Sequence, residues 1–407
     1  MDTDGWLQAP LSALARVNPR YSVEKGAPVP FVDMASLRTD SSSVNHVGER
    51  EAKGSGSRFK RGDTLFARIT PCAQNGKTAF VDFLDEGTVG MGSTEFIVLA
   101  PVIEKLEPRY LYHLAKSDMV RTHAIAQMEG TSGRQRVPNR VFDEIEVGVP
   151  PLGEQRKIAE ILGSVDEAIQ ATQAVIEQTR KVKQGLLQRL LTRGIGHTRF
   201  KQTEIGEIPE SWDVTTVASL CSHIVDCLHL TPEYTDDGPY VIRSSDVVAG
   251  RLIFSSTRHV SDETYAHRIG RLTPEPGDVL YVREGARFGI AAPVPDGVEL
   301  CLGQRMLHLR ADSHVHPGYL LCLMNSPIVV ERAKADVGGS ASPHVNIGSI
   351  RKFMVPCPPR EEQQEIGRLL SLLEQTVCDS EAAAVSLSRL KQVLMQDLLT
   401  GRVRVTP

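Results

Sequence analysis

Two stretches of the chain place apolar residues at alternating spacings of four and three positions, and neither stretch, 152–208 or 360–406, contains proline. A seam sustained over more than four heptads is typical of a coiled coil, and a Pro-Pro pair followed by glutamate in the first turn indicates a helix start. The first predicted seam consists of Ile158, Leu162, Val165, Ile169, Thr172, Ile176, Thr179, Lys183, Leu186 and Leu190. The second consists of Ile366, Leu370, Leu373, Val377, Ser380, Ala384, Leu387, Lys391, Leu394 and Leu398.

The two seams belong to a repeat that fills the chain. The segment 150–158 recurs at 358–366, which is 208 positions later, and the polar interruption at Lys183 coincides with Lys391 at the same offset. Trp6 corresponds to Trp212 with a slippage of two positions, as loops of different length would produce. We therefore expect two copies of one unit of about 200 residues.

The segments outside the seams have a different character. Residues 1–149 and 204–357 are rich in glycine and proline and contain short apolar runs bounded by turn residues. Such runs predict strands of mixed α/β (α+β) domains. The sequence thus predicts a globular domain at 1–149, a helical spacer at 150–203, a second globular domain at 204–357 and a second helical spacer at 358–407.

A solitary amphipathic helix of this length has no surface against which to bury its apolar stripe. The simplest packing lays the two helices against each other within the chain. In a tandem repeat this makes them antiparallel, relates the two copies by a pseudo-two-fold axis and puts a globular domain at each end. The alternative is a homodimer in which each helix pairs with a second copy of the chain.

Composition excludes several classes of protein. The chain of 407 residues has 46 basic and 50 acidic side chains, a net charge of −4, which excludes a uniformly basic nucleic-acid coat protein. The acidic N-terminus and the absence of a long apolar run predict neither a signal peptide nor a membrane span. Seven cysteines without a Cys-x-x-Cys pair are typical of a reducing compartment, so we expect a cytoplasmic protein.

Two related domains on a rigid spacer suit a target that offers two separated, oppositely oriented features. Duplex DNA does so, because two-fold proteins read half-sites about one helical turn apart. In a tandem repeat the sequences of the two DNA-binding domains can diverge, so the recognised site need not be a palindrome. Residues 1–150 carry a net charge of −1 and residues 204–356 carry −6, so we expect partner subunits to supply much of the contact with DNA phosphates.

Arginine, asparagine and glutamine side chains in loops are the candidates for base contact, because they make bidentate hydrogen bonds to guanine or adenine. The candidates of the first copy are Arg58, Lys60, Arg61, Arg134, Gln135 and Arg136. Those of the second copy are Arg283, Arg287, Gln304, Arg305, His344 and Asn346, the last two in a Gly-Ser-rich loop at 338–346. Because the candidate residues of the two copies differ, we expect the two copies to recognise different half-site sequences.

The order of globular unit, Pro-Pro-Leu-x-Glu-Gln helix, globular unit and second helix resembles the specificity subunit of a type I restriction–modification system. The residues that carry the resemblance are Pro150-Pro151-Leu152-Gly153-Glu154-Gln155, Leu190-Leu191-Thr192-Arg193-Gly194, Gly206-Glu207-Ile208-Pro209-Glu210-Ser211-Trp212, Gly92-Ser93-Thr94-Glu95-Phe96, Gly277-Asp278-Val279-Leu280, Gly303-Gln304-Arg305 and 398–405. The resemblance covers essentially the whole chain.

That resemblance implies a non-catalytic subunit with two target recognition domains, each reading one half of a bipartite, asymmetric double-stranded DNA site. It implies that the paired helices dock two methyltransferase subunits, to which restriction (nuclease/translocase) subunits are added. It also implies that this chain binds no cofactor, and that S-adenosylmethionine, ATP and Mg²⁺ bind to the partner subunits.

Three other functions have to be weighed. Cys221, His223, Cys227 and His229 have the residue types of a zinc site, but on a straight strand they spread over roughly 27 Å, too far for one tetrahedral ion. Asn18-Pro19-Arg20-Tyr21 only partly matches an adenine methyltransferase motif, Glu51-Ala52-Lys53 is half of a nuclease signature, and no P-loop is present. The third alternative is a coiled-coil scaffold that does not read DNA.

Overall fold

A computed structural model describes residues 5–285, 287–337 and 344–406. The chain divides into two compact units: unit 1 comprises residues up to 174 together with residues from 381 onward, and unit 2 comprises residues 175–380. Both boundaries fall inside the long helices. The contacts therefore group each half-helix with the globular part on which it packs, whereas the sequence prediction placed the helices in segments of their own.

The first half of the chain alternates short strands with four helices before the first long helix. Its elements are β1 Leu7–Pro10, α1 Leu11–Leu14, β2 Ala15–Val17, β3 Pro28–Val32, β4 Gly48–Glu51, β5 Ser57–Phe59, β6 Thr64–Ala67, β7 Thr78–Phe80, β8 Gly90–Gly92, β9 Phe96–Pro101, α2 Pro108–Lys116, α3 Asp118–Ala126, α4 Val141–Glu144, β10 Glu146–Val149 and α5 Leu152–Arg193.

The second half follows the same plan with additional strands. Its elements are β11 Phe200–Thr203, β12 Gly206–Pro209, β13 Asp213–Thr216, β14 Cys221–Asp226, β15 Thr235–Ile242, β16 Val247–Val248, β17 Arg251–Leu252, β18 Arg258–His259, α6 Asp262–Ile269, β19 Val279–Val282, β20 Ala291–Pro293, β21 Leu300–Leu302, β22 Met306–Ala311, α7 Pro317–Met324, α8 Pro327–Asp336, α9 Ile347–Lys352, β23 Met354–Cys357 and α10 Arg360–Leu399, with 3-10 turns at Val217–Leu220 and Ser244–Asp246.

The antiparallel sheets of the two units have the same strand order, and three strands of the second sheet also correspond. Unit 1 contains an antiparallel sheet β2-β9-β6-β7, a sheet β4-β3-β8-β5 with one parallel pair, and the pair β1-β10. Unit 2 contains the corresponding sheet β14-β22-β19-β20, a sheet β18-β15-β21 with one parallel pair, and the pair β13-β23. The repeat seen in the sequence is therefore also a repeat of topology, and the prediction of α+β units is confirmed.

The long helices complete the core of each unit. In unit 1, Ile158 and Leu162 of α5 and Leu398 of α10 pack with Tyr110 and Phe142 of the globular part. In unit 2, the corresponding cluster joins residues of both helices to the fully buried Trp212. Every predicted seam position of both helices is buried or half-buried. Among the residues that the structure describes, no helix is long and apolar enough to cross a membrane.

The helix segments run antiparallel within each unit. In unit 1, Glu154 near the start of α5 forms an ion pair with Arg404, which follows the end of α10. Farther along α5, Asp166 forms an ion pair with Lys391 of α10. In unit 2, Glu362 at the start of α10 meets His197, and Glu374 binds Lys183. The polar seam positions Lys183 and Lys391 are thus each paired with a carboxylate on the facing helix segment.

The Glu-Gln pair of the repeated motif ties each helix start to its globular part. Gln155, only 1% exposed, accepts a hydrogen bond from the Glu107 backbone N–H (2.8 Å) and donates to the carbonyls of Lys105 (2.9 Å) and Pro150 (2.7 Å). Gln363 accepts from the His316 N–H and donates to Pro358 in the same way. One buried amide therefore fixes the angle at which the long helix leaves each unit.

Replacing Gln155 with alanine should destabilise unit 1 by about 3 kcal/mol, because the Glu107 N–H and the carbonyls of Lys105 and Pro150 all lose their hydrogen bonds to the buried amide. The measurement is denaturant unfolding of the Trp212→Phe background, in which Trp6 is the remaining tryptophan and reports on unit 1. Gln392→Ala, at an exposed position of α10, is the matched control and should change stability by no more than about 0.5 kcal/mol. Equal effects of the two variants would contradict the role assigned to Gln155.

Candidate nucleic-acid interface

One Gly-Asp turn leads into the central strand of the antiparallel sheet in each unit. Gly62 and Gly277 have φ angles of +91° and +87°, which disfavour side chains, and the following aspartate accepts a hydrogen bond from the backbone N–H three residues earlier. The strand that follows, β6 or β19, is itself followed by an arginine, which is Arg68 in unit 1. The equivalent position in unit 2, 215 residues later, is Arg283.

In unit 1 the structure brings two of the sequence candidates together. The guanidinium of Arg58 donates to the Tyr21 carbonyl (2.7 Å), and the Lys60 ammonium lies 5.0 Å from the centre of the Tyr21 ring. Arg61 lies elsewhere, with its guanidinium on the carbonyl of Leu84 (2.8 Å). Arg58 and Lys60 therefore share one cationic surface around Tyr21, whereas Arg61 belongs to a different face.

The second group of unit 1 candidates lies on the loop before Val137. Arg134 is exposed, and the Gln135 carbonyl accepts a hydrogen bond from the Thr70 N–H (3.0 Å). Arg136 makes a bidentate ion pair with Glu95, with distances of 2.7–3.1 Å, and these hydrogen bonds lower the pKa of the Glu95 carboxyl. Of these three side chains, the Arg136 guanidinium is already engaged with a protein carboxylate.

In unit 2 three of the candidates, Arg283, His344 and Arg305, converge on one network. Arg283 is 4% exposed and binds Asp226 through two nitrogens (3.1 and 3.2 Å). Its third nitrogen contacts His344 Nε2 (3.0 Å), and His344 Nδ1 contacts Glu284 (3.1 Å). Arg305, 52% exposed, forms an ion pair with the same glutamate. The two arginines and two carboxylates of this network balance in charge.

The remaining unit 2 candidates occupy separate positions. Gln304 donates to the carbonyl of His229, at the margin of the Arg283 network. The Arg287 guanidinium binds the Val247 carbonyl (2.7 Å), and the Asn346 side chain caps α9 by accepting from the Gly348 N–H (2.8 Å). Residues 338–343 of the Gly-Ser-rich loop lie outside the described residues.

The structure does not bring together the four cysteine and histidine residues that were weighed as zinc ligands. A register shift between Cys221 and His223 interrupts β14, and His223 is exposed while Cys221 is half-buried. The Cys227 thiol is buried, which raises its pKa, and it accepts a hydrogen bond from the Met306 N–H (3.4 Å). In the described part of the chain, no group of three or more His, Cys, Asp or Glu side chains is placed to hold a metal ion.

The partial catalytic motifs have structural explanations. Asn18 has a φ of +49°, and its backbone N–H and side-chain oxygen both bond Val98 of β9 (2.7 and 2.9 Å). Glu51 and Lys53 lie on the surface as an ion pair. Asn18 therefore holds the end of β2 against β9.

Sequence reasoning missed Arg68, Gln155 and Gln363. Arg68 follows β6 at the same distance from the Gly-Asp turn as Arg283 from its own turn, so the repeat offset of 215 was the signal that would have identified it. The two glutamines lie within the repeated motif, but their partners are about fifty positions away in the chain.

Comparison with known proteins gives a consistent result. The family model described as type I restriction modification DNA specificity domain matches residues 19–179 and 230–383. The chain is 25% identical over 325 residues to the type I restriction enzyme MjaVIII specificity subunit of Methanocaldococcus jannaschii, covering 78% of this chain and 76% of that protein. It is 28% identical over 289 residues to the EcoAI specificity subunit of Escherichia coli, covering 69% of this chain and 46% of that protein.

Two solved structures share the fold. The type I restriction–modification system S subunit from M. genitalium has a TM-score of 0.61 at 15% identity, covering 97% of this chain and 96% of that one. A chain from a study of complex assembly and conformational transition of the type I R-M system has a TM-score of 0.57 at 19% identity, covering 98% of both chains.

Proposed function

The chain belongs to the type I restriction modification DNA specificity family, and from that premise we propose that it selects the double-stranded DNA site on which a type I restriction–modification enzyme acts. In this proposal the chain is the non-catalytic specificity subunit. Methylation and cleavage are performed by partner subunits that it positions on the DNA.

The observation that carries the proposal is a pair of units in which equivalent strands lead to the same side chain, an arginine, in different surroundings. The residue that follows the strand after the Gly-Asp turn is Arg68 in unit 1 and Arg283 in unit 2. Arg283 is neutralised by Asp226, whereas Arg68 has no ion-pair partner among the described residues within 4.0 Å. Two units that share a fold but surround the equivalent arginine with different chemistry are suited to a bipartite, asymmetric DNA site, in which each unit recognises one half.

The long helices are proposed to form an antiparallel intramolecular coiled coil between recognition domains at 1–149 and 204–357, with spacers at 150–203 and 358–407. The ion pairs support a pseudo-two-fold repeat. Lys183 is equivalent to Lys391, and Glu374 to Asp166, at the same offset of 208, and each lysine binds the other copy's acid. The spacer helices would fix the number of unread base pairs between the half-sites.

The proposed partners are two methyltransferase subunits and the restriction subunits. Several large apolar side chains of the two long helices are exposed to solvent, and this supports docking of other proteins against these helices. These side chains are Val175, Val182, Leu372, Val385, Leu390 and Val393. S-adenosylmethionine, ATP and Mg²⁺ are proposed to bind to the partners, and the seven free thiols support a reducing, cytoplasmic location.

The test is a domain exchange with methylation mapping. The chain is co-expressed with its methyltransferase, and methylated bases are mapped genome-wide; residues 1–149 are then replaced by the corresponding segment of another family member. We expect one half of the methylated site to change while the other half stays the same. A scaffold that does not read DNA would give methylation without sequence preference, or a site that the exchange leaves unaltered.

A further inference from the structure

An open cavity of about 540 Å³ lies where the ends of three strands meet a fourth strand in unit 1. Asn18 follows β2, Arg58 lies in β5, Arg68 follows β6, and Thr94 precedes β9. Arg20 adds a third guanidinium to the lining. The cavity is therefore formed by the antiparallel sheet and the neighbouring sheet, which hold its basic residues in place.

The charge of this cavity is unbalanced. Three guanidinium groups line it, and its lining contains no acidic side chain in the described part of the chain. The nearby carboxylate of Glu95 is already bound by Arg136 through two oxygens. The Asp63 carboxyl is bound by the Tyr21 hydroxyl and the Lys60 N–H, and burial raises its pKa to about 6. The cavity thus keeps an excess of positive charge.

Arg68 indicates where in this positively charged cavity an anion would bind. Its Nε is buried, and no acceptor in the described residues lies within hydrogen-bond distance of it. A buried N–H without an acceptor costs about 1–3 kcal/mol, more for a charged group, so native proteins usually supply a partner. In unit 2 the equivalent Arg283 has that partner in Asp226. In unit 1 the Glu95 carboxylate interacts with the Arg68 charge at longer range, but no described carboxylate bonds the Arg68 Nε, which leaves that acceptor position to an external anion.

We propose that this cavity of unit 1 receives a backbone phosphate of the bound DNA, with Arg68 as the central contact and Arg58 and Arg20 beside it. The inference rests on the proposed function and identifies the part of the DNA that unit 1 holds at this place. Guanidinium groups bind phosphate oxygens in bidentate geometry, and such contacts position a protein on the duplex without reading its sequence. Arg58 is anchored by its bond to the Tyr21 carbonyl and so is already oriented.

The test uses the full chain assembled with its methyltransferase subunit. DNA affinity is measured against salt concentration for a duplex carrying the mapped site and for a scrambled duplex. Arg68→Ala should weaken binding about tenfold on both duplexes and lower the slope of log K against log salt by about 0.9, the value for one lost phosphate contact. Arg68→Lys should retain most of the slope, because it retains the charge.

Lys105→Ala is the control, because it also removes one exposed positive charge but lies beyond the opposite end of β9 from the cavity. It should leave the slope unchanged. Thermal melting checks that Arg68→Ala is folded, and Arg20→Ala, at an exposed position, provides a second variant with the same expected slope change.

An unchanged slope in both variants would overturn the phosphate contact, and so would a loss of discrimination between the duplexes at constant slope, which would indicate a base contact. If the unsubstituted complex binds both duplexes equally while Arg68→Ala lowers the slope, the phosphate contact stands and the proposed function fails. If the unsubstituted complex binds neither duplex, both proposals fail.

Discussion

Duplicating one heptad in each long helix, residues 168–174 and residues 374–380, is expected to shift methylation to a site with a longer unread spacer. The two insertions fall where the chain passes between unit 1 and unit 2. Seven residues add about 10 Å of helix, which corresponds to roughly three base pairs of DNA. Because the apolar seam also repeats every seven residues, the duplication keeps its period intact.

The measurement is the same genome-wide mapping of methylated bases, with both half-sites compared before and after the duplication. Methylation at the original site should be lost, and both half-site sequences should be retained. Duplication in α5 alone is the control: it leaves one heptad without a partner, so we expect loss of methylation altogether. Retention of the original spacing by the double duplication would exclude the helices as the element that sets the spacer.

The long helices could be predicted from sequence because a coiled-coil seam is a one-dimensional pattern. The spacing of four and three identified positions such as Ile158 and Leu162, and the structure buries both. Even the polar interruptions Lys183 and Lys391 were visible as coincidences of the repeat. Their partners Asp166 and Glu374 were not, because choosing them requires the relative register of two segments more than 190 positions apart in the chain.

The candidate interface was predicted less completely, because residue type alone does not distinguish a free arginine from a paired one. Arg283 and Arg136 were chosen as candidates for DNA contact, and both lie against carboxylates that the sequence could not assign to them. Arg68 was overlooked although no described residue accepts a hydrogen bond from its Nε. The deciding property, an unpaired group lining a cavity, depends on where three strands end and emerges only from their packing.

The aspartates of the two Gly-Asp turns have pKa values that are shifted in opposite directions, although they belong to the same motif. In unit 2, burial raises the pKa of Asp278, but hydrogen bonds from Arg310 (2.7 and 2.9 Å) and His308 (2.7 Å) outweigh it and lower the pKa to about 2. In unit 1, Asp63 has no cationic hydrogen-bond partner among the described side chains, and burial raises its pKa to about 6.

Asp278→Asn should therefore destabilise unit 2 by about 3 kcal/mol at pH 7, because it removes the buried carboxylate that binds Arg310 and leaves the guanidinium with the exposed Glu275 as its ion-pair partner. Asp63→Asn should change unit 1 by less than about 1 kcal/mol, since no buried cation loses a partner there. Unfolding is measured through the single remaining tryptophan: Trp212 in the Trp6→Phe background for unit 2, and Trp6 in the Trp212→Phe background for unit 1.

The pH dependence should have opposite signs in the two units. The folded-state pKa of Asp278 lies below the ordinary value of 3.8, so its stabilisation is present above about pH 4 and is lost as the pH falls toward 2. The folded-state pKa of Asp63 lies above that value, so its contribution decreases as the pH rises from about 4 to 6. Each Asn variant should abolish the dependence of its own unit only. Destabilisation of unit 1 by Asp63→Asn as large as that of unit 2 by Asp278→Asn would show that the turn geometry, and not the counter-charge, sets the cost.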